Sequence, residues 1–269
     1  MDTMDTIVQN WPLRRVGLRV QDMARELEYY THLGLAVVRD GRKEGGDGTV
    51  GLGVGGPGGR EVLTLRALPG GRPRPPRTAG LYHFALLVPS DEELGSFLQY
   101  LLEQRIPLDG ASDHLVSQAL YLSDPEGNGI EVYADRPREQ WPKPEPGMGK
   151  IGMGTLPLNA PALLKQAHSF GGFSEGLRLG HMHLNVGNLD RSMEFYQQMG
   201  MELMVGLANS ADFLSWDGYH HHLGINVWAG RNARPEEPDM YGLDFFEIKR
   251  PGLAGVTMQD PDGVTVRIL

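Results

Sequence analysis

The stretch DHLVSQALYLSDPEGNGIE, residues 113–131, carries the clearest structural signal in this chain. Apolar and polar residues alternate in its first part, an Asp-Pro-Glu-Gly sequence follows, and the alternation resumes in Ile130–Tyr133. This pattern predicts two antiparallel strands joined by a tight turn. Tyr121 and Glu131 would then share one concave face. A carboxylate directed into such a face needs a cation, although a Glu on a solvated strand face is the simpler alternative.

The composition indicates a soluble globular protein with one large domain or two ordinary ones. The chain has 269 residues, of which 40% are hydrophobic and 22% are charged. The net charge of −9 argues against nucleic acid as a partner. Because there is no cysteine, any metal must be held by histidines and carboxylates. No apolar run approaches ~18 residues and the N-terminus lacks an apolar signal core, so we expect a cytoplasmic protein with no membrane partner.

An internal repeat organises the chain. Residues 18–30 align without a gap with residues 184–196, and each copy reads as a strand, a capping turn and an amphipathic helix that ends near a glycine. A second pair of similar segments begins at Gly80 and Gly242, and each member ends in an Asp-Pro-x-Gly turn. The repeat therefore predicts four βαβββ-like units, at 13–68, 80–134, 178–230 and 241–269.

The segments between the units suggest a division of the chain into residues 1–140 and 141–269, each with one pair of units. Residues 135–177 form a Pro-rich linker with an expected helix from Ala160 to Ser169. The fourth unit is expected to be truncated, because residues 249–258 are too few for a helix and two strands. Its missing helix would expose a sheet edge, which the linker or a partner chain in a homo-oligomer must cover.

Four such units, with histidines on first strands and a glutamate on a last strand, resemble the vicinal oxygen chelate superfamily. That group includes glyoxalases, bleomycin-resistance proteins and extradiol ring-cleaving dioxygenases. The stretch from His114 through Tyr121 to Glu131 is similar to the signature of extradiol dioxygenases, especially catechol 2,3-dioxygenases of the Bacillus type, and the likeness extends to residues 218–230. The resemblance implies an α+β fold in which the units pair into two half-barrel cups.

The resemblance also implies where a metal would bind, because metal ligands in this superfamily occupy one position in the first strand and one in the last strand of each unit. Aligning the repeats assigns the first-strand position to Arg15, His83, His181 and Phe245, and the last-strand position of units two to four to Glu131, Asn226 and Arg267. Among these, His83, His181 and Glu131 form the two-His, one-carboxylate set suited to Fe(II), with Mn(II) as an alternative. Units two and three should therefore share the metal cup, although larger extradiol enzymes pair units three and four.

Strand parity supports this assignment. In residues 181–186 the even-numbered positions are apolar and should face the helices, so His181 and His183 should face the cup. Phe84 likewise directs its neighbour His83 into the cup. A single strand histidine is more often a structural residue, but three matched ligand types at symmetry-related positions favour a metal site.

The remaining residues favour an oxygenase over an isomerase. Asn226 is a poor fourth ligand, so coordination positions stay open for an aromatic diol and O2. If the last strand of unit three is unbroken, parity directs His222 into the cup as the catalytic acid/base, and His221 points outward. By resemblance, Tyr121 should hydrogen-bond the bound phenolate and His114 should line the substrate entrance.

The expected function is extradiol cleavage of a catechol or hydroquinone ring by O2. Two alternatives stay open. One is a glyoxalase-like lyase or thiol transferase that uses Ni, Zn or Mn, and the other is a metal-free binding protein of the bleomycin-resistance kind. Metal content separates the metal-free protein from the other two, and O2 uptake with catechol separates those two from each other.

Overall fold

Strands dominate the structure, a computed structural model that describes residues 10–42, 46–144, 146–147, 149–250 and 252–269. Within these ranges they form two sheets, of seven and nine strands. The first unit contains β1 (Leu13–Val20), α1 (Met23–His32), β2 (Ala36–Asp40), β3 (Thr49–Val54) and β4 (Arg60–Ala67). The second contains β5 (Gly80–Val88), α2 (Asp91–Gln104), β6 (Gly110–Asp113), β7 (Ser117–Ser123) and β8 (Gly129–Asp135). Both units have the predicted βαβββ order.

The second half repeats this order until the last unit. The linker contains a 3-10 turn (Arg138–Gln140), the short β9 (Leu156–Pro157) and α3 (Ala160–Leu164). The third unit contains β10 (Arg178–Asn185), α4 (Leu189–Gln198), β11 (Glu202–Leu207), β12 (Ala211–Ser215) and β13 (Leu223–Asn226). The fourth has β14 (Gly242–Ile248), β15 (Val256–Gln259) and β16 (Thr265–Ile268), and no helix is found among its described residues. The predicted truncation is confirmed.

The helices begin where the sequence supplies a capping side chain. The side chains of Asp22, Ser90 and Asn188 each accept a hydrogen bond from the backbone N–H three residues later, at 3.1, 3.3 and 2.9 Å. Such a cap stabilises a helix by ~1 kcal/mol. The linker helix ends at Leu164 and not at Ser169. The backbone N–H groups of Gln166 and Ala167 donate to carbonyls only three residues back, and that of His168 donates to the Ser96 hydroxyl of α2.

The two sheets join units that are distant in sequence. β10 of the third unit pairs antiparallel with β5 of the second, and β14 of the fourth pairs antiparallel with β1 of the first. The strand orders are β11-β12-β13-β10-β5-β8-β7-β6-β9 and β15-β16-β14-β1-β4-β3-β2. We call the concave face of the nine-stranded sheet the triad cup and that of the seven-stranded sheet the arginine cup. Each cup takes one unit from residues 1–140 and one from residues 141–269.

The hydrophobic core lies on the helix side of both sheets. One continuous cluster includes Leu18, Tyr30, Phe84, Leu184 and Phe246, which belong to all four units. Each fully buried Leu or Phe contributes on the order of 2 kcal/mol by leaving water, so folding is driven mainly from this side and the cup faces are free to carry polar residues. Among the described residues, no helix combines the length and the apolar character needed to cross a membrane.

Two matching hydrogen bonds tie the helices of the first and third units, α1 and α4, to the Asp-Pro-x-Gly turn of the following unit. The hydroxyl of Tyr30 donates to Asp124 at 2.7 Å, and that of Tyr196 donates to Asp260 at 2.9 Å. Asp124 also accepts from the backbone N–H of Asn128 at 2.7 Å, which holds the turn closed. The predicted hairpin of residues 113–131 is therefore anchored to the first unit as well as to its own sheet.

Part of the linker crosses the triad cup. We call residues 149–157 the strap. At one end Gly149 forms a bridge with Val205 of the edge strand β11, and at the other β9 pairs with β6 near the opposite edge. We expected the linker or a partner chain to cover the sheet edge left by the truncated unit. The linker does not cover it, because β15 is the edge strand of the seven-stranded sheet and its Val256 is 41% exposed. A partner chain at that edge stays a prediction.

Candidate metal centre

Three potential metal ligands converge on the floor of the triad cup. His83 lies on β5, Glu131 on β8 and His181 on β10, which are adjacent strands. The Oε2 atom of Glu131 is 3.0 Å from Nε2 of His83 and 3.1 Å from Nε2 of His181, and the two nitrogens are 3.3 Å apart. All three side chains are buried. We call these residues the triad.

The protonation states of His181 and Glu131 suit a cation. Burial lowers the pKa of His181 to about 4, so its imidazole is neutral at neutral pH. Burial alone would raise the pKa of Glu131, but its contacts with His181 and His83 outweigh that effect and hold the pKa well below its usual range. A neutral imidazole and an ionised carboxylate are the forms that bind metals. The donor set therefore fits a divalent ion such as Fe(II).

Cross-strand register identifies the position at which a fourth ligand would lie. Two residues after each triad histidine, Ala85 pairs with Glu131 in the second unit and His183 pairs with Gly224 in the third. The position related to Glu131 is thus Gly224, and the sequence-based assignment of Asn226 is wrong. A Cβ atom on Gly224 would lie only 2.8 Å from Cδ2 of His183, so the His183 ring covers this position and the third unit offers the triad only His181.

His222 is not directed toward the triad, in contrast to the expectation from strand parity. β13 begins only at Leu223, and Asp217 and Gly218 before it have positive φ angles of 57° and 68°. Because the chain turns here, the alternation of the strand does not extend back to residue 222. The Nδ1 atom of His222 accepts a hydrogen bond from the backbone N–H of Trp216 at 3.3 Å, and the side chain is buried away from the pocket.

His221 occupies the position expected for His222. Its ring centroid lies 4.1 Å from that of His181 and 5.0 Å from that of Phe213, and it lines the pocket above the triad. Burial holds the pKa of His221 well below its usual value, so the imidazole is neutral. The expected outward orientation of His221 is therefore wrong, for the same reason that moved His222.

A hydrogen-bonded chain leads from His221 to a carboxylate. Nδ1 of His221 is 2.7 Å from Nδ1 of His220, and Nε2 of His220 is 2.8 Å from Oδ1 of Asp135. An ionised carboxylate only accepts, so His220 donates from Nε2, and in the tautomer with its single proton there it accepts at Nδ1. His221 donates from its own Nδ1, which leaves its Nε2 unprotonated. Tyr219 also donates to Asp135, at 2.9 Å, and holds the carboxylate in place.

Tyr121 and His114 form a second pair on the opposite wall. Tyr121 lies directly across from Glu131 in the β7–β8 register. His114 Nδ1 is 2.8 Å from the carbonyl oxygen of Gly154 in the strap, so this nitrogen donates. Its Nε2 then accepts from the hydroxyl of Tyr121 at 2.6 Å. Burial, followed by the nearby Glu131, raises the pKa of Tyr121, which keeps it a neutral phenol.

A pocket of about 370 Å³ lies between these walls and the strap. It brings together the triad, Tyr121, His114 and His221. The other lining residues are Tyr82, Ser112, Met153, Gly154, Thr155, His183, Val205, Leu207, Phe213 and Trp228. Nε2 of His183 is buried without a hydrogen-bond partner in the described structure, so it is available to a bound ligand. The expected entrance residue His114 lies inside the wall and contacts the strap.

Sequence reasoning missed Asp135, His221 and the strap. Asp135 could have been found, because residues 131, 133 and 135 share one face of a strand and Glu131 was already assigned to the cup. The orientation of His221 had no such signal. The strap gave none either, since Met153, Gly154 and Thr155 belong to no periodic pattern.

Comparisons with known proteins agree with this architecture. Residues 13–132 match the model of the Glyoxalase/Bleomycin resistance protein/Dioxygenase superfamily. A catechol-2,3-dioxygenase of Bacillus subtilis strain 168 is 37% identical over 257 residues, which cover 92% of this chain and 86% of that protein. The crystal structure of a candidate dioxygenase from Bacillus subtilis superposes with a TM-score of 0.58 at 13% identity, over 96% of this chain and 84% of the other.

Glyoxalase I from Zea mays superposes with a TM-score of 0.51 at 16% identity, over 96% of this chain and 91% of that one. At these identities the superpositions show the fold alone, and the family rests on the catechol-2,3-dioxygenase relative and the matched superfamily model. The chain belongs to the glyoxalase, bleomycin resistance protein and dioxygenase superfamily, whose fold is that of the vicinal oxygen chelate proteins.

Proposed function

We propose that this protein is an extradiol dioxygenase that opens the ring of a catechol or hydroquinone with O2 at a non-haem metal. The observation that carries the proposal is the convergence of His83, His181 and Glu131, whose donor atoms lie within 3.3 Å of one another. Two histidines and one carboxylate are the ligands of many non-haem Fe(II) oxygenases, and Mn(II) accepts a similar set. The similarity to a catechol-2,3-dioxygenase supports the same reaction.

The bound ion would supply adjacent coordination positions for diol and O2 and the redox chemistry that joins them. The protein's own side chains would transfer the protons that the reaction requires. Ring cleavage requires that a substrate hydroxyl lose a proton and that a substrate oxygen later gain one. A side chain that acts as a base of moderate strength can perform both transfers.

We assign the acid/base role to His221. Its Nε2 is unprotonated, because its Nδ1 donates to His220. When Nε2 takes a proton from a substrate hydroxyl, the resulting positive charge is stabilised by the chain through His220 to Asp135. This is the arrangement by which a carboxylate orients a catalytic imidazole and stabilises its charged form.

Tyr121 would hold the substrate oxygen on the opposite wall. Its hydroxyl donates to His114 in the structure, and it can turn that proton toward a bound phenolate. His114 fixes the position of the phenol because the strap carbonyl of Gly154 fixes the His114 ring. Tyr121 therefore positions the substrate and donates to it, while His221 exchanges the proton.

The glyoxalase-like alternative is less well supported. Such sites tend to have four protein ligands with two carboxylates, whereas the fourth position here is Gly224, covered by His183. The metal-free alternative leaves Glu131 buried beside two histidines and without a cation, which is an unfavourable arrangement.

The proposal is tested by O2 consumption of protein reconstituted anaerobically with Fe(II) and then given catechol. We expect O2 uptake and a yellow ring-opened product from the wild type. Glu131→Gln should lose both, and Glu247→Gln, a buried glutamate in the arginine cup, should retain them. A metal-loaded wild type that consumes no O2 with catechol or its alkyl derivatives would rule out the proposed function.

A further inference from the structure

The pocket above the triad contains acidic and neutral groups but no fixed cation. Among its described lining residues there is no lysine and no arginine, and Glu131 is the only carboxylate. A ligand in this pocket would therefore meet no lysine or arginine side chain.

Two basic residues that neighbour pocket-forming segments in sequence already have partners. Arg136, just after β8, donates to Asp113 of β6 at 2.6 Å. Lys150 of the strap pairs with Glu202 of β11 at 3.0 Å. Neither residue lines the pocket. A carboxylate on a substrate ring would therefore lose its water without gaining a counter-ion, which is strongly unfavourable.

The wall away from the triad is apolar. Val205 and Phe213 belong to a buried hydrophobic cluster, against which Met153 of the strap and Leu207 pack. This wall can bury a hydrocarbon substituent but offers a charged one nothing. The pocket of about 370 Å³ is also near the lower limit of small-molecule sites, which span ~300–1,000 Å³, and this size favours a single-ring diol.

Two exposed aromatic side chains stand at the mouth of the pocket. Tyr82 is 44% exposed and Trp228 is 50% exposed, although both are large and apolar. Their rings meet edge to face at 5.2 Å, and His183 lies against both. Exposed aromatic rings at a pocket mouth are suited to an apolar ring system, because they gain contact area without requiring a charge.

We infer that the substrate is an uncharged single-ring diol with an apolar ring substituent, and that diols carrying a ring carboxylate are excluded. This inference rests on the proposed function. The substituent packs against the wall of Met153, Val205, Leu207 and Phe213, while the two hydroxyls face the triad. Tyr82 and Trp228 contact the ring at the mouth.

The test compares catechol, 4-methylcatechol, 4-ethylcatechol and 3,4-dihydroxybenzoate on the wild-type, Fe(II)-loaded protein. Binding is followed anaerobically by the quenching of tryptophan fluorescence, and kcat/KM is followed by O2 uptake. We expect binding to tighten about fourfold for each added methylene, by the usual gain for burying hydrocarbon. We expect 3,4-dihydroxybenzoate to bind at least ~100-fold more weakly than 4-methylcatechol, because its carboxylate stays unpaired.

A matched pair of variants tests whether the apolar wall is what excludes diols with a ring carboxylate. Leu207→Arg introduces a cation into the apolar wall and should improve binding of 3,4-dihydroxybenzoate at least tenfold, whereas Leu207→Gln, which is polar but uncharged, should not. The wild-type comparison decides the inference even if neither variant folds. Equal binding and cleavage of 3,4-dihydroxybenzoate and 4-methylcatechol would overturn the inference and leave the dioxygenase proposal intact. Failure to consume O2 with any of the four diols would overturn both.

Discussion

The triad cup and the arginine cup neutralise buried carboxylates in different ways. In the arginine cup, Arg15 donates two hydrogen bonds to Glu247, at 2.6 and 2.8 Å, so this carboxylate has a cation from the chain itself. In the triad cup, Glu131 forms its ion pairs with His83 and His181. Because burial lowers the pKa of His181 to about 4, this imidazole is neutral at neutral pH and supplies no positive charge to the carboxylate. The difference supports the proposal that an external cation completes the triad cup.

The two cups also differ in space. By register, Phe245 corresponds to His83 and Arg267 to Glu131. The guanidinium of Arg267 lies 3.5 Å from the centroid of the Phe245 ring. A Cβ atom on Gly17 would lie 2.2 Å from Cε1 of the same ring, so Phe245 fills the centre of the arginine cup. The triad cup keeps its pocket because smaller polar side chains occupy the same positions.

A third buried carboxyl, Glu26 on α1, shows another solution. It is fully buried, and its burial, with Asp124 and Glu126 nearby, raises its pKa to about 9. Glu26 is thus neutralised by a proton, whereas Glu247 is neutralised by an arginine. Glu131, whose pKa is held low, is neutralised neither by a proton nor by an arginine. This difference leads to the following predictions.

The largest effect is expected from exchanging a glutamate in each cup. Glu131→Gln removes an anionic ligand, and since altering residues that merely support ligands costs ~10–100-fold in metal affinity, we expect a loss of at least ~100-fold. Glu247→Gln should leave metal affinity unchanged. Anaerobic equilibrium dialysis against Fe(II) measures both. Equal metal affinity of the two variants would place the cation outside the triad.

The next largest expected effect is a difference in kcat between variants of the neighbouring residues His221 and His222. His221→Asn should lower kcat by ~10²–10⁴-fold, the usual contribution of an acid/base group, with metal content unchanged. His222→Asn should leave kcat within a few-fold, because that side chain contacts the core and not the pocket. Steady-state O2 uptake on metal-quantified samples measures both. The reverse ranking would restore the role that strand parity gave to His222.

Acid should destabilise the metal-free protein. The pKa of His181 is about 4 in the folded protein against 6.5 in the unfolded chain, so its contribution is complete above pH 6.5 and is lost as the pH falls toward 4. From ~1.4 kcal/mol per unit, the free energy of unfolding should fall by about 3 kcal/mol on its account. Urea denaturation between pH 7.5 and 4.5 measures this.

A matched histidine pair controls for general acid effects. The variant His181→Gln should make the free energy of unfolding less dependent on pH between 7.5 and 4.5. Replacement of the exposed His32 by Asn should leave that dependence unchanged. An unchanged slope in His181→Gln would mean that His181 is not held neutral by burial.

The smallest effect concerns Glu26 and has the opposite sign. Its folded pKa of about 9 exceeds the unfolded value of 4.5, so its stabilisation is complete below pH 4.5 and is lost as the pH rises toward 9. Glu26→Gln cannot ionise and should exceed the wild type in stability by about 1–3 kcal/mol at pH 8, with a smaller gain at pH 5. Thermal or urea denaturation at the two pH values measures this. A gain that is equal at both values would contradict a buried, protonated carboxyl.

Much of the fold could be predicted because it repeats. The gapless match of residues 18–30 with 184–196 indicates two copies of one supersecondary unit, and the period-2 pattern around His181 indicates which face is apolar. The pairing of units is harder to predict, and it follows only from Phe245 and Arg267, which cannot bind a cation. The structure has the second and third units in one sheet.

The incorrect predictions from sequence have local structural causes. Extrapolating parity to residue 222 failed because the positive φ angles at Asp217 and Gly218 reverse the chain before β13 begins. Choosing Asn226 over Gly224 failed because sequence alone does not give the parallel register between β10 and β13. The strap is irregular, and its path over the cup depends on tertiary contacts such as Gly149 with Val205.

We expect the triad, and not the arginine cup, to bind one metal ion. The most direct measurement is an anomalous difference map from crystals grown anaerobically with Fe(II). We predict one peak per chain within ~2.0–2.3 Å of Nε2 of His83, Nε2 of His181 and a carboxylate oxygen of Glu131, the range typical of first-row ions. A peak in the arginine cup, or no peak at the triad in metal-loaded crystals, would contradict it.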